Sequence, residues 1–288
     1  MTGRKTAQKL MAVGLFSVGV LGCGGGGGGG SGLAGGACDS LSARGTSDNQ
    51  QIFNGESCDQ VARTPVVAIF PIGRSGEQLF VASICTGALV TVDDILTSAH
   101  CFRDPFLALG DALAGFVVVV GGENGEAIQI SNLALHPFYD GSVGSRYDIA
   151  MATLSRVPSP RIGPLPILVS QLSLPGQEFS VFGYGTSNQG EIGVLKSAEF
   201  RIEEIFNGNL LSSYIGSDNV SICGGDSGGP AVQVVNGVTT LIGVNSFGQF
   251  VGGETCPAIP ARVSGFVDIQ DEAVLEFIGN YAPDVAAN

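Results

Sequence analysis

Tryptophan is absent, and the chain holds only 2 His, 3 Met and 13 Lys or Arg among 288 residues. So few histidines leave almost no material for imidazole-ligated metal sites. A basic surface is missing too: 26 acidic residues give a net charge of −13, which repels nucleic acid and anionic lipid rather than binding them. Long apolar runs are confined to the extreme N-terminus, which excludes a chain that crosses a membrane repeatedly through helices. The 45 glycines have no three-residue period and 44% of residues are hydrophobic, so collagen-like and disordered readings fail. What is left is one β-rich domain with extras, or two small domains.

Residues 1–9 carry Arg4, Lys5 and Lys9 and no acid, residues 10–22 are uncharged and mostly apolar, and Cys23 follows directly. A basic start before about a dozen apolar residues has the form of a secretory signal. It falls short of the roughly 20 residues that a transmembrane helix needs. The junction Val20-Leu21-Gly22-Cys23 resembles a bacterial lipobox: small Gly22 suits a signal peptidase, and the Cys23 thiol accepts a diacylglyceryl group. The expectation is a lipoprotein signal over 1–22 and a chain in the bacterial cell envelope or secreted, held to a membrane by lipid on Cys23. The alternative is an ordinary signal cut further on, near Ala34 or Ala37. Gly24 to Gly30 is a tether with no means of packing, so 23–51 read as linker and propeptide and 52–288 as the folded domain.

The seven cysteines are Cys23, Cys38, Cys58, Cys85, Cys101, Cys223 and Cys256. With Cys23 lipidated, six remain, an even number suited to disulfides outside the cytoplasm. There is no C-x-x-C pair and neither His stands at zinc-finger spacing from a Cys, so no metal site and no cofactor are expected. Glu123 and Glu126, in a turn, read as solvated carboxylates.

From about Ile52 the pattern is short β-runs broken by Gly, Pro and Asn. Runs 66–70, 79–86, 88–92, 116–120, 127–135, 149–154, 178–182, 199–205, 231–235 and 239–244 read as strands. Asn124-Gly125 and Asn236-Gly237 are hairpin dipeptides. One helix is expected near the end, with Val267, Ala273, Val274, Phe277 and Ile278 on its apolar face and a frayed tail after Tyr281. The fold class is therefore all-β, an antiparallel barrel or sandwich.

Gly225-Asp226-Ser227-Gly228-Gly229-Pro230 contains a serine in a G-x-S-x-G setting. An α/β-hydrolase needs the order Ser, acid, His, but His100 and His136 both precede Ser227, which removes the acyl-hydrolase reading. The order His, Asp, Ser survives, with His100 in Thr97-Ser98-Ala99-His100-Cys101 and Asp148 in Tyr147-Asp148-Ile149-Ala150. A serine hydroxyl is a weak nucleophile at neutral pH and needs a base within hydrogen-bond reach. His100 can take that proton and return it to the leaving amine, while Asp148 fixes the tautomer. The backbone N–H groups of Gly225 and Ser227 would hold the oxyanion. His136, in Leu135-His136-Pro137-Phe138, reads as structural.

Over residues 52 to about 280 the chain resembles the chymotrypsin-like (trypsin-fold) serine endopeptidases. The motifs are Ile52-Phe53-Asn54-Gly55, Thr97 to Cys101, Asp148-Ile149-Ala150, Gly183-Tyr184-Gly185, Gly225 to Pro230 and Ser246-Phe247-Gly248. The resemblance implies a double six-stranded antiparallel β-barrel with the site in the cleft. It also implies a new N-terminal ammonium on Ile52 inserting beside Asp226 after cleavage by an activating protease, although Gln51 stands where a basic residue is usual and Arg44 is the nearest one upstream. Cys85 with Cys101, and Cys223 with Cys256, match disulfides of the family. Cys38 and Cys58 are left to pair with each other, or one of them to bridge a dimer, a monomer being the expectation. By position Ser221 lies at the base of the primary pocket, with Ser246, Gly248 and Ala258 on its walls. No acid stands at that base, and a basic substrate side chain would be buried unpaired, so small to medium apolar residues are expected there. The implied partners are protein or peptide substrates. The competing reading is a catalytically silent homologue that acts as an envelope binding module.

Overall fold

The computed structural model describes strands 44–46 and 56–59, Ile52, and residues 64–288 except 104–111, 122–124, 143, 160, 188–189, 191, 218, 253–254 and 257. All of these fall in one compact unit, Gly35–Asn288. The signal segment, Cys23, the tether and Cys38 lie outside the described residues.

A short hairpin of β1 (Arg44–Thr46) and β2 (Glu56–Asp59) precedes the first barrel. That barrel follows in chain order as β3 (Val66–Ser75), β4 (Gln78–Val81), β5 (Cys85–Leu89), β6 (Asp94–Thr97), α1 (His100–Arg103), β7 (Ala112–Val120), β8 (Glu126–Leu135) and β9 (Ala150–Leu154). Six of the strands run β3-β5-β6-β9-β8-β7, and pairing of β3 with β7 closes the ring, so no long edge is left open. Residues on alternate sides of these strands divide between two clusters, Val67, Ile69 and Ile95 inside the barrel and Val66, Ala68 and Leu96 against the second one.

The second barrel is built from β10 (Glu178–Gly183), β11 (Lys196–Arg201), β12 (Glu204–Phe206), β13 (Asn209–Ser213), β14 (Pro230–Val235), β15 (Val238–Gln249) and β16 (Val263–Asp268). Its six central strands run β11-β10-β14-β15-β16-β13, with β2 added beside β11 and β12 beside β13. Phe266 meets Phe179 and Phe200 edge-on at 5.1 and 5.4 Å, filling this core. The expected double six-stranded barrel is observed.

Local expectations change at five points, two of them the runs 79–86 and 199–205, each of which divides between two strands, β4 and β5 in the first and β11 and β12 in the second. The run 88–92 breaks after Leu89, because Thr91 folds a turn, its hydroxyl donating to Asp94 Oδ2 at 2.8 Å and accepting from Asp94 N at 2.9 Å. Val267 belongs to β16, and the helix α2 (Glu272–Tyr281) begins only after Asp271, whose carboxylate caps Ala273 N at 3.0 Å. The tail is tied down rather than frayed: Ile167 N donates to Ala286 O at 2.8 Å and Asn288 N to Ile167 O at 2.9 Å.

Candidate active site

Asp148 is 3% exposed and its carboxylate accepts three donors. His100 N reaches Oδ1 at 2.9 Å, while His100 Nδ1 at 2.7 Å and the Ser246 hydroxyl at 2.6 Å share Oδ2. A carboxylate only accepts, so Nδ1 carries the ring proton and Nε2 is left as the basic nitrogen. The position of His100 follows from the fold: it opens α1 directly after β6, and Cys101 is bonded to Cys85 on β5.

Ser227 sits half-buried in a turn that both barrels hold. Asn245 is the shared anchor. Its carbonyl accepts from Gly228 N at 2.7 Å and from the Ser98 hydroxyl at 2.7 Å, so one oxygen links the serine loop to the histidine loop. Thr86 N donates to Ser227 O at 2.8 Å. Among the described residues no hydrogen bond joins Ser227 Oγ to His100, a contact that often tightens only when substrate binds. A depression of about 250 Å³ beside His100 is lined by Tyr139, Gly141, Gly144, Ser246 and Phe247.

Asp226 is fully buried, with Gly185 N on Oδ1 at 2.9 Å and Cys223 N on Oδ2 at 2.8 Å. Burial pushes its carboxyl up to about 6, against the pull of those two N–H groups and the Lys196 ammonium. Because the folded value lies above the unfolded 3.8, the stability from the protonated form is complete below pH 3.8 and is lost as pH rises through about 6. Relative to Asp226→Asn, the wild-type unfolding free energy is expected to fall by about 2 kcal/mol between pH 4 and pH 7, read by denaturant titration at each pH. A constant difference across that range would remove the argument.

Ile52 is 0% exposed in the intact chain, in the second core with Phe179, Val181, Ala198 and Ile222. Its φ is 52°, a left-handed value that costs a β-branched residue about 1–3 kcal/mol. Hydrolysis of the Gln51–Ile52 bond would release that strain, since φ is unrestrained at a free amine.

At the expected primary pocket Ser221 is fully buried, its Oγ accepting from Ala261 N at 3.1 Å. Here the structure departs from the expected wall. Ala258 is exposed on a turn, while Ala261 is buried and stands so near Gly248 that a Cβ there would lie 2.9 Å from the alanine methyl. The Cys223–Cys256 bridge is present. Cys58 is disulfide-bonded, and its expected partner Cys38 lies outside the described residues. The Cys85 and Cys101 sulfurs lie within 4.8 Å of a His100 ring nitrogen, but the disulfide leaves no thiolate there to bind a metal. His136 is buried, stacked on Tyr147 at 4.5 Å with Nε2 3.3 Å from Ala273 O, so it fastens α2 to the first barrel.

Sequence reasoning passed over Ala261, Thr86, Thr186, Asn245 and Lys196. Only the last carries a signal in the sequence: it is the sole lysine after Lys9, and it is 0% exposed.

The comparisons agree with this geometry. Residues 52–269 match the Trypsin family. Serine protease Hayan of Drosophila melanogaster is 26% identical over 262 residues, 81% of this chain and 40% of Hayan. The venom peptide isomerase heavy chain of Agelenopsis aperta is 25% identical over 64% of this chain and 85% of its own length. This chain thus spans about two-fifths of Hayan, with 40% covered, and most of the spider protein. Among solved structures, HL collagenase shares the fold with a TM-score of 0.61 and 22% identity, over 79% of this chain and 97% of that one. With its two barrels, its buried aspartate beside a histidine and a family match over residues 52–269, this chain belongs to the trypsin family of serine proteases.

Proposed function

We propose that the chain is an exported serine endopeptidase in which Ser227, His100 and Asp148 form the catalytic triad. The observation that carries the reading is the convergence of three donors on the buried Asp148 carboxylate, which leaves His100 Nε2 as the base. In the reaction Ser227 Oγ attacks the peptide carbonyl and its proton passes to Nε2. The imidazolium, stabilised by Asp148, then returns the proton to the leaving amine, and water releases the acyl group by the same steps. The N–H groups of Gly225 and Ser227 meet the oxyanion.

A preference for small to medium apolar side chains is supported by the absence of an acid at Ser221, whose Oγ accepts from Ala261 N, with Gly248 close beside Ala261. Export under the 1–22 signal, a lipid on Cys23, a cut before Ile52 by another protease and a monomeric domain complete the proposal.

A fluorophosphonate reagent is expected to add to Ser227, seen by peptide mass, and purified protein should cleave peptides with Ala, Val or Leu before the scissile bond far faster than those with Arg or Lys. Absence of both labelling and turnover, in the cut and uncut forms alike, would transfer support to the binding-module reading.

A further inference from the structure

The two proposed oxyanion donors hang on peptide units whose carbonyls are held from behind. In a trans peptide the C=O and N–H point in opposite directions, so a clamp on the oxygen aims the hydrogen. The unit that ends in Ser227 N–H begins at Asp226 O, which accepts from Asn245 Nδ2 at 2.9 Å and Gly229 N at 3.0 Å. The unit that ends in Gly225 N–H begins at Gly224 O, which accepts from Thr186 N at 2.8 Å and from the Thr186 hydroxyl at 3.1 Å.

The second unit has the greater need of its clamp. It joins two glycines, Gly224 and Gly225, each with the widest choice of backbone angles. Gly224 is exposed, and a Cβ there would meet nothing within 4 Å, so packing does not hold it. Gly225 has φ of 99°, outside the usual range of any other residue. On its far side Gly225 O accepts from the Thr86 hydroxyl at 2.8 Å, and that hydroxyl in turn accepts from Tyr184 N at 3.0 Å. The glycine pair is therefore pinned at both carbonyls by threonine hydroxyls, Thr86 from the first barrel and Thr186 from the second.

We infer that Thr186 and Thr86 are positioning residues of the oxyanion hole: Thr186, through its backbone N–H and hydroxyl, fixes the Gly224–Gly225 peptide with its N–H turned toward the substrate, and the Thr86 hydroxyl fixes the Gly225–Asp226 peptide that follows, so that Gly225 is held on both sides. The inference rests on the serine-protease reading and adds to it the groups that preorganise the donor. The loss on removing a clamp should fall on the tetrahedral state, because the ground-state complex makes little use of the donor.

The test uses the chain cut before Ile52, with peptide substrates and a peptide boronic acid, which forms a tetrahedral adduct with a catalytic serine. Thr186→Val is expected to lower kcat about 10-fold, and Thr86→Val with Thr186→Val together about 100-fold, approaching the loss of one donor. KM should stay within about 2-fold, and boronate affinity should fall in parallel with kcat, since both read the tetrahedral state. Thr186→Ser and Thr86→Ser keep the hydroxyl and should retain at least about a third of the activity. Thr186 is half-exposed, so its variants decide the matter if Thr86→Val does not fold. The idea is overturned if kcat is unchanged, if KM absorbs the loss, or if the serine variants are as impaired as the valine ones. A wild-type chain that, cut and uncut alike, neither turns over peptide nor takes up fluorophosphonate overturns the protease reading itself, and the clamp with it.

Discussion

Ser227→Ala is expected to lower kcat on peptide substrates by at least about 10⁴-fold while leaving the folded state intact. The substitution removes one oxygen from a half-buried side chain that makes no hydrogen bond among the described residues. The turn around it is held through backbone atoms, Ser227 O to Thr86 N at 2.8 Å and Gly228 N to Asn245 O at 2.7 Å, which alanine leaves untouched. A change in Tm of no more than about 2 °C follows, since small changes away from buried contacts cost little. His100→Ala should lose a similar factor, and the double variant should be no worse than either single one, because nucleophile and base act as a unit. Steady-state kinetics on the three variants checks this. Additive losses, or a Ser227→Ala protein with more than about a hundredth of wild-type activity, would show that the hydrolysis proceeds without this pair.

Much of this site can be read from residue types and their order. His100, Asp148 and Ser227 stand in segments whose neighbours, Cys101, Ile149 and Gly228, have reasons of their own to be there. The structure brings His100 and Asp148 into contact at 2.7 Å and holds the serine loop, through Gly228 N, on the same Asn245 carbonyl as the histidine loop. Strands rich in branched residues were equally legible. The strands β6, β13 and β16 were not, since each is short and its pattern mixes polar and apolar residues on buried positions, as in Asn209 and Ser212, which are 2% and 1% exposed. Burial of those polar groups depends on partners that no local period signals, such as Ser217 Oγ for Ser212 Oγ and, 65 residues away, Gly144 O for Asn209 Nδ2 at 3.1 Å.

The parts that escaped the sequence share one cause. Thr86 and Thr186 act through hydroxyls that reach backbone carbonyls 139 and 38 residues away, so nothing in their own segments marks them. Ala261, not Ala258, stands beside Gly248 because the loop after Gly248 fixes the register by its folding, with Arg262 N on Gln249 O at 2.7 Å and Ala258 N on Thr255 O at 3.0 Å. Residue counting cannot supply that register. Ile52 and Asp226 are likewise legible as motif residues, whereas the strained φ of 52° at Ile52 and the buried Lys196 near Asp226 arise only in the folded chain.

Gly228→Ala should be among the most damaging single-methyl additions in this chain, costing more than about 3 kcal/mol of stability. Two effects combine. The φ of Gly228 is 85°, a left-handed value that disfavours any side chain, and a Cβ would lie 2.0 Å from Thr97 Oγ1 and 2.2 Å from Thr86 O. The second of those atoms is backbone in the fully buried β5, so it cannot rotate away. Relief requires β5 and the serine loop to part, which breaks the Thr86 N to Ser227 O bond of 2.8 Å and the Gly228 N to Asn245 O bond of 2.7 Å. The site would then lose activity even in molecules that remain folded, by more than about 100-fold, because displacement of a nucleophile by about 1 Å is that costly. Gly76→Ala is the matched control. Its φ of 61° is just as left-handed, yet a Cβ there meets nothing within 4 Å, so the cost should be about 1 kcal/mol with activity unchanged. Denaturant unfolding and kcat/KM measured on both variants separate the steric effect from the conformational one. Equal losses at the two glycines would mean that the clash at Gly228 is relieved without moving Ser227, and the tight coupling between β5 and the serine loop would have to be abandoned.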